Sequence, residues 1–166
     1  SLNHPIYEQW YGKWDSSAME RLICALRDRL AMPVLLVDVG GDEFLRPFDM
    51  NRGVFYSRPQ YRDYLQLARR ALAHVSGRHH GSCLAAVAGC PLIGISANTH
   101  KMLGDFELLQ WELPVFDFYR IQENIPSIVE AVTQAVRTVE PLRKRMRHTV
   151  GLLRGEVSRH VDCLKG

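Results

Sequence analysis

Apolar positions along the chain follow two alternating rhythms. From Ser16 to Leu30 they fall at Met19, Leu22, Ile23, Leu26 and Leu30, a helical spacing with Asp15 or Ser16 placed to cap it. Met32 to Val39 (MPVLLVDV) is a continuous apolar run, as expected of a strand buried on both faces of a parallel sheet, and Gly40-Gly41 ends it. Residues 42–58 show neither rhythm and predict a long irregular loop. A second helix is expected from Tyr61 to Ala73, with Tyr64, Leu65, Ala68 and Leu72 on one side. Next come a very short strand at His74-Val75-Ser76, a small-residue helix from Gly81 to Ala88 and a strand from Cys90 to Ser96 (CPLIGIS). A helix from Lys101 to Trp111 and a strand from Pro114 to Phe118 follow. From Pro126 the pattern is helical, with Asn124 as N-cap and Ile128, Val129, Val132, Val136 and Val139 as the buried face. Pro141 is expected to separate a last helix ending near Val161.

This order predicts an α/β fold: a Rossmann-like three-layer sandwich with a mainly parallel sheet and right-handed crossovers. At 166 residues the chain has the size of one domain, residues 126–166 forming its C-terminal helical segment. Open parallel sheets bind ligands beyond the carboxyl ends of their strands. The loops after Val39, Ser76, Ser96 and Phe118 are therefore expected to line one edge.

Composition narrows the class further. With 46% apolar and 23% charged residues, the chain has enough apolar surface to build a core, which argues against disorder. The net charge of +3 comes with one dense basic run, Arg143-Lys144-Arg145-Met146-Arg147. That run reads as a solvated helix face, with a partner domain or an acidic membrane surface as alternatives. The basic face with interleaved aromatics of a nucleic-acid binder is absent, as is any apolar run long enough to span a membrane. Cys24, Cys83, Cys90 and Cys163 form no CxxC pair and no cluster at metal-ligand spacing. They are read as free thiols of a reducing, cytoplasmic compartment, with Cys24 and Cys83 buried, and no metal is expected.

The chemistry concentrates in Ser76-Gly77-Arg78-His79-His80-Gly81, between a strand and a helix. Backbone N–H groups at such a junction favour an anion. Arg78 can grip a phosphate or carboxylate through two parallel hydrogen bonds, His79 and His80 can move protons near neutral pH, and the glycines allow close approach of a ligand. The plainer alternative is a tight turn with one buried and one exposed histidine. Asn98-Thr99-His100-Lys101 follows the next strand and is expected at the same edge, as a cap, an anion site or both. Asp38 ends a strand, where its carboxylate can meet a ribose or simply shape a turn; the GxGxxG fingerprint is missing. In Asp117-Phe118-Tyr119-Arg120 the aromatics are expected to pack the sheet edge and Asp117 to pair with a cation.

With SGRHHG followed by LAAVAGCPLIGISANTHK, the chain resembles the polysaccharide pyruvyl transferases. The resemblance rests on Ser76, Arg78, His80 and Gly81, then Gly89-Cys90-Pro91, and covers about Ala73 to Phe118. It implies the C-terminal half of a GT-B-like enzyme, with an N-terminal half outside this chain holding the saccharide acceptor. The implied reaction moves a pyruvyl (carboxyvinyl) group from phosphoenolpyruvate to a sugar of a cell-surface polysaccharide, with no further cofactor. Arg78 would hold the phosphate or carboxylate and His80 would act as acid or base, while His79 stands where relatives carry an apolar or aromatic residue. Two other readings stay open. One is the donor half of a nucleotide-sugar glycosyltransferase, using Asp38 or Asp117 for the ribose and Glu107 on a later helix. The other is a non-catalytic module with an anion pocket.

Overall fold

The first apolar stripe forms α1 (Ser16–Leu30) in the computed structural model of the chain, which describes residues 16–40, 43–48, 53–96 and 100–163. Expectations placed on Asp15, Gly41, Asn98 and Thr99, and on parts of the stretch 42–58, lie outside these residues. Strand β1 (Val34–Val37) pairs in parallel with β2 (Val54–Ser57), Val34 opposite Val54 and Val37 opposite Ser57. The stretch read as an irregular loop therefore contains a strand, as well as a 3-10 turn over Glu43–Phe48. Leu45, Phe48 and Val54 are buried and anchor the stretch to the core.

Helix α2 (Tyr61–Arg70) ends earlier than its apolar stripe suggested, because Ala71 turns to extended backbone. Then follow β3 (His74–Ser76), α3 (His79–Val87), β4 (Leu92–Ser96), α4 (Lys101–Leu108) and β5 (Val115–Asp117). β3, β4 and β5 form a parallel three-stranded sheet in that order. Helix α3 closes in a Schellman arrangement: Cys90 N–H donates to Ala85 C=O and Gly89 N–H to Ala86 C=O. Gly89 takes φ +78° there, which only glycine adopts without strain, and the chain is aimed into β4.

Alternation along β4 divides the core. Ile93 and Ile95 face one cluster, with Met19, Leu22, Ile23, Phe118, Ile128 and Val132. Leu92 belongs to the other, with Ala85, Met102, Phe106, Trp111 and Met146. A strand pleat sends successive side chains to opposite faces, so helices cover the sheet on both sides. The fold is thus α/β with short parallel sheets, a layout compatible with the Rossmann-like expectation.

The last two helices are α5 (Ile121–Arg137) and α6 (Val139–Cys163), separated at Thr138. α5 starts before the expected position. Asn124 is consequently inside the helix, and its side chain donates to the Asp117 carbonyl instead of capping. The basic run of α6 is not simply a solvated face. Met146 is fully buried, Arg143 donates to the Ala71 carbonyl at 2.7 Å, and Arg145 bonds the Gln110 carbonyl and Glu112. These bonds tie α6 to the ends of α2 and α4. Among the described residues, no helix is long and apolar enough to cross a membrane.

His74, at the start of β3, has its Nε2 sealed from solvent without a hydrogen-bond partner and meets the Tyr64 ring edge-on. Burial lowers its imidazole from the ordinary 6.5 to about 3. The unfolded chain therefore binds one more proton than the native one between these values. Stability attributable to His74 is complete above about pH 6.5 and falls on acidification toward pH 3, by up to about 1.4 kcal/mol per unit. Urea unfolding of His74→Phe across pH 4–7 should show a shallower acid decline than the parent chain.

Candidate functional site

Parallel pairing of β3 with β4 sets Ser76 opposite Gly94, so both strands end at the same edge of the sheet. Helices α3 and α4 start from that edge, as the order of elements predicted. The site residues, however, take more distinct roles than the motif suggested.

Ser76 is fully buried, and its Oγ accepts the Arg78 N–H at 2.9 Å. It builds the turn from strand to helix and offers no surface to a ligand. Gly77 is buried beside it. Gly81 is also buried, and its carbonyl accepts the Tyr64 hydroxyl at 2.9 Å. A Cβ at this position would stand 3.3 Å from that hydroxyl, so a side chain here would need Tyr64 of α2 to give by a few tenths of an ångström. Arg78 is the half-buried N-cap of α3, and its carbonyl accepts from Ser82 N–H.

α3 begins at His79, two residues before the expected Gly81, which places both histidines in the first helical turn. Adjacent helical residues point about 100° apart. His80 is exposed, whereas His79 turns toward α4, its Nδ1 2.6 Å from Asp105 Oδ2. The two rings still meet edge-to-face at 5.1 Å. Cys83, one turn beyond His79, lies with Sγ 3.9 Å from the same Nδ1. Its thiol is pushed up by burial and by the Asp105 charge. The expectation for the cysteines shifts accordingly. Cys24 and Cys83 are half-buried free thiols, and the fully buried one is Cys90, raised to about 12 by burial.

His100 and Lys101, both exposed, open α4 at the neighbouring strand end. Asp38 sits elsewhere in function. It is buried at the end of β1, accepts from the Tyr56 hydroxyl at 2.8 Å and the Gly40 N–H at 2.7 Å, and has Arg58 at 3.8 Å. Its carboxylate ties β1 to β2. Asp117 accepts the Tyr119 N–H and also interacts electrostatically with the Arg120 guanidinium, the nearby cation expected for it, while Phe118 is buried and Tyr119 exposed.

Two cavities adjoin α6. One of about 460 Å³ lies between α3, α4 and α6, lined by Cys83, Asp105, Leu108, Val150, Leu153 and Val157 among others. The other, about 490 Å³, gathers Arg69, Arg143, Arg147 and Arg154. Neither is lined by Arg78 or His80. Sequence reasoning missed Asp105 and Cys83. The i, i+4 spacing of His79 and Cys83 was a usable signal, since it puts both on one helix face. Comparison of the chain with known protein families, curated proteins and solved structures returns no match.

Proposed function

We propose that the chain is the donor-binding part of a transferase that takes phosphoenolpyruvate and passes its pyruvyl group to a sugar hydroxyl. The observation that carries this reading is the shared edge of β3 and β4. There the starts of α3 and α4 lie on neighbouring strands and contribute Arg78, His80, His100 and Lys101. Phosphoenolpyruvate presents a phosphate and a carboxylate, two anions for two cationic helix starts. Arg78 binds one of them and Lys101 the other.

Transfer begins with a proton delivered to the methylene carbon of the donor, which makes its C2 electrophilic. A sugar hydroxyl then adds to C2 and gives up its proton, and phosphate leaves with the C2–O bond electrons. A second hydroxyl of the same sugar adds to the resulting oxocarbenium carbon and loses its proton, closing the pyruvate ketal. His80, exposed at the start of α3, serves as the acid and then the base. The acceptor is a saccharide of a cell-surface polysaccharide, contributed to the reaction from a second half of a GT-B-like enzyme.

Thermal melting of the purified chain with phosphoenolpyruvate, UDP, GDP or CMP tests the donor class. At 100 times its dissociation constant a ligand adds about 2.7 kcal/mol, roughly 5–10 °C for a domain of this size. Phosphoenolpyruvate should give such a shift and the nucleotides none. A shift with a nucleotide alone would replace this reading with nucleotide-sugar transfer.

A further inference from the structure

We propose that His79, Cys83 and Asp105 form a zinc site between α3 and α4, with a fourth coordination position open to the adjoining cavity. His79 and Cys83 are one turn apart on α3, and Asp105 faces them from α4. One imidazole nitrogen, one thiol sulfur and one carboxylate oxygen lie within 4.8 Å of one another. Imidazole with thiolate and carboxylate is a donor set suited to zinc. All three residues are partly buried, which screens the group from bulk water without closing it.

The distances need little adjustment. Zinc bonds of about 2.0–2.3 Å at tetrahedral angles place N and O about 3.3 Å apart and S and N about 3.6 Å apart. The observed separations are 2.6 Å between His79 and Asp105 and 3.9 Å between Cys83 and His79. The ion has to part the first pair by under an ångström and draw the sulfur toward both partners, all three donor atoms already lying within 4.8 Å of one another. Binding releases the thiol proton to solvent, and His79 ligates through Nδ1 as a neutral imidazole with its N–H on Nε2.

A nucleophilic Cys–His–Asp arrangement fits less well. Such a triad sets the nucleophile on one ring nitrogen and the carboxylate on the other. Here Cys83 and Asp105 both approach Nδ1. Convergence of two donors on one nitrogen's side of the ring is what a bound cation requires. Cys83 and Asp105 also line the 460 Å³ cavity, whose wall is otherwise mainly apolar. Three protein ligands and one accessible position allow a water or a small anion to complete the shell. This site is independent of the phosphoenolpyruvate reading and stands or falls separately.

The test uses the whole chain, freed of any affinity tag, with zinc chloride as the probe. Alkylation of the wild-type protein with iodoacetamide, followed peptide by peptide, reports each cysteine. Zinc should slow modification of Cys83 by at least about tenfold, because a coordinated thiolate is no longer free to react. Cobalt added in place of zinc should give a sulfur-to-metal absorption band that Cys83→Ser lacks. Competition with a chromophoric chelator should give one zinc per chain, weakened at least about tenfold in Asp105→Asn. Circular dichroism and melting confirm that both variants fold. Unchanged alkylation of Cys83 in zinc, protection of a different cysteine in its place, or equal zinc affinity in folded Asp105→Asn would each overturn the site.

Discussion

Phe118→Ala should lower the stability of the chain by about 3–5 kcal/mol, the cost of emptying a large aromatic site in a packed core. Phe118 is 2% exposed and lies where the chain leaves β5 for α5. Its cluster joins Ile93 and Ile95 of the central strand to Ile121, Ile128 and Val132 of α5. Both the sheet and the helix that covers it lose packing when the ring is removed. Domains of this size have about 5–15 kcal/mol in total, so the variant should approach the threshold of folding. Urea unfolding monitored by circular dichroism measures the loss. Tyr119→Ala, removing a neighbour that is 37% exposed and meets Phe118 edge-to-face at 6.2 Å, should cost clearly less, about 1 kcal/mol.

Gly94→Val is expected to have a comparable effect by the opposite mechanism, overpacking. Gly94 is on the middle strand, between its partners in β3 and β5. A Cβ there would stand 2.9 Å from Val115 Cγ2, 3.0 Å from Met102 Cγ and 3.1 Å from Phe106 Cζ. Val115 is β-branched and stiff, and Met102 and Phe106 are buried, so the helix α4 has to lift from the sheet. Even one extra methylene in a well-packed core costs about 1–3 kcal/mol, and valine adds two methyls beyond the Cβ. Thermal melting should show a large drop, with Gly94→Ala intermediate. A Gly94→Val protein as stable as its parent would mean that α4 does not pack on β4 as described.

Much of this layout was readable from the chain. CPLIGIS is a short continuous apolar run, consistent with a strand covered on both faces, and Leu92, Ile93 and Ile95 are all buried. Helical spacing of Ile128, Val129, Val132 and Val136 marked α5. Strand β2 was not readable, because VFYS is only four residues long and stands between Gly53 and the Pro59 that follows Arg58. That omission hid the tie Asp38 makes between the two strands. Its hydrogen-bond partner, Tyr56, belongs to the very strand that was not foreseen. The candidate site divided in the same way. The positions of Arg78, His80 and Lys101 follow from strand order, which the sequence carries. The turn of His79 toward Asp105 does not, because the two are 26 residues apart and meet only when α3 and α4 pack.

Titration calorimetry of phosphoenolpyruvate into the folded chain tests most directly whether the edge of β3 and β4 is a donor site. The arginine-lined cavity beside α6 supplies an internal control, since it can also attract a dianion. One site should be seen in the wild type, weakened at least about tenfold in Arg78→Ala, the loss expected for a charge-assisted pair, and retained in Arg147→Ala. Equal affinity in the wild type and in folded Arg78→Ala, or loss of binding in Arg147→Ala alone, would contradict the assignment.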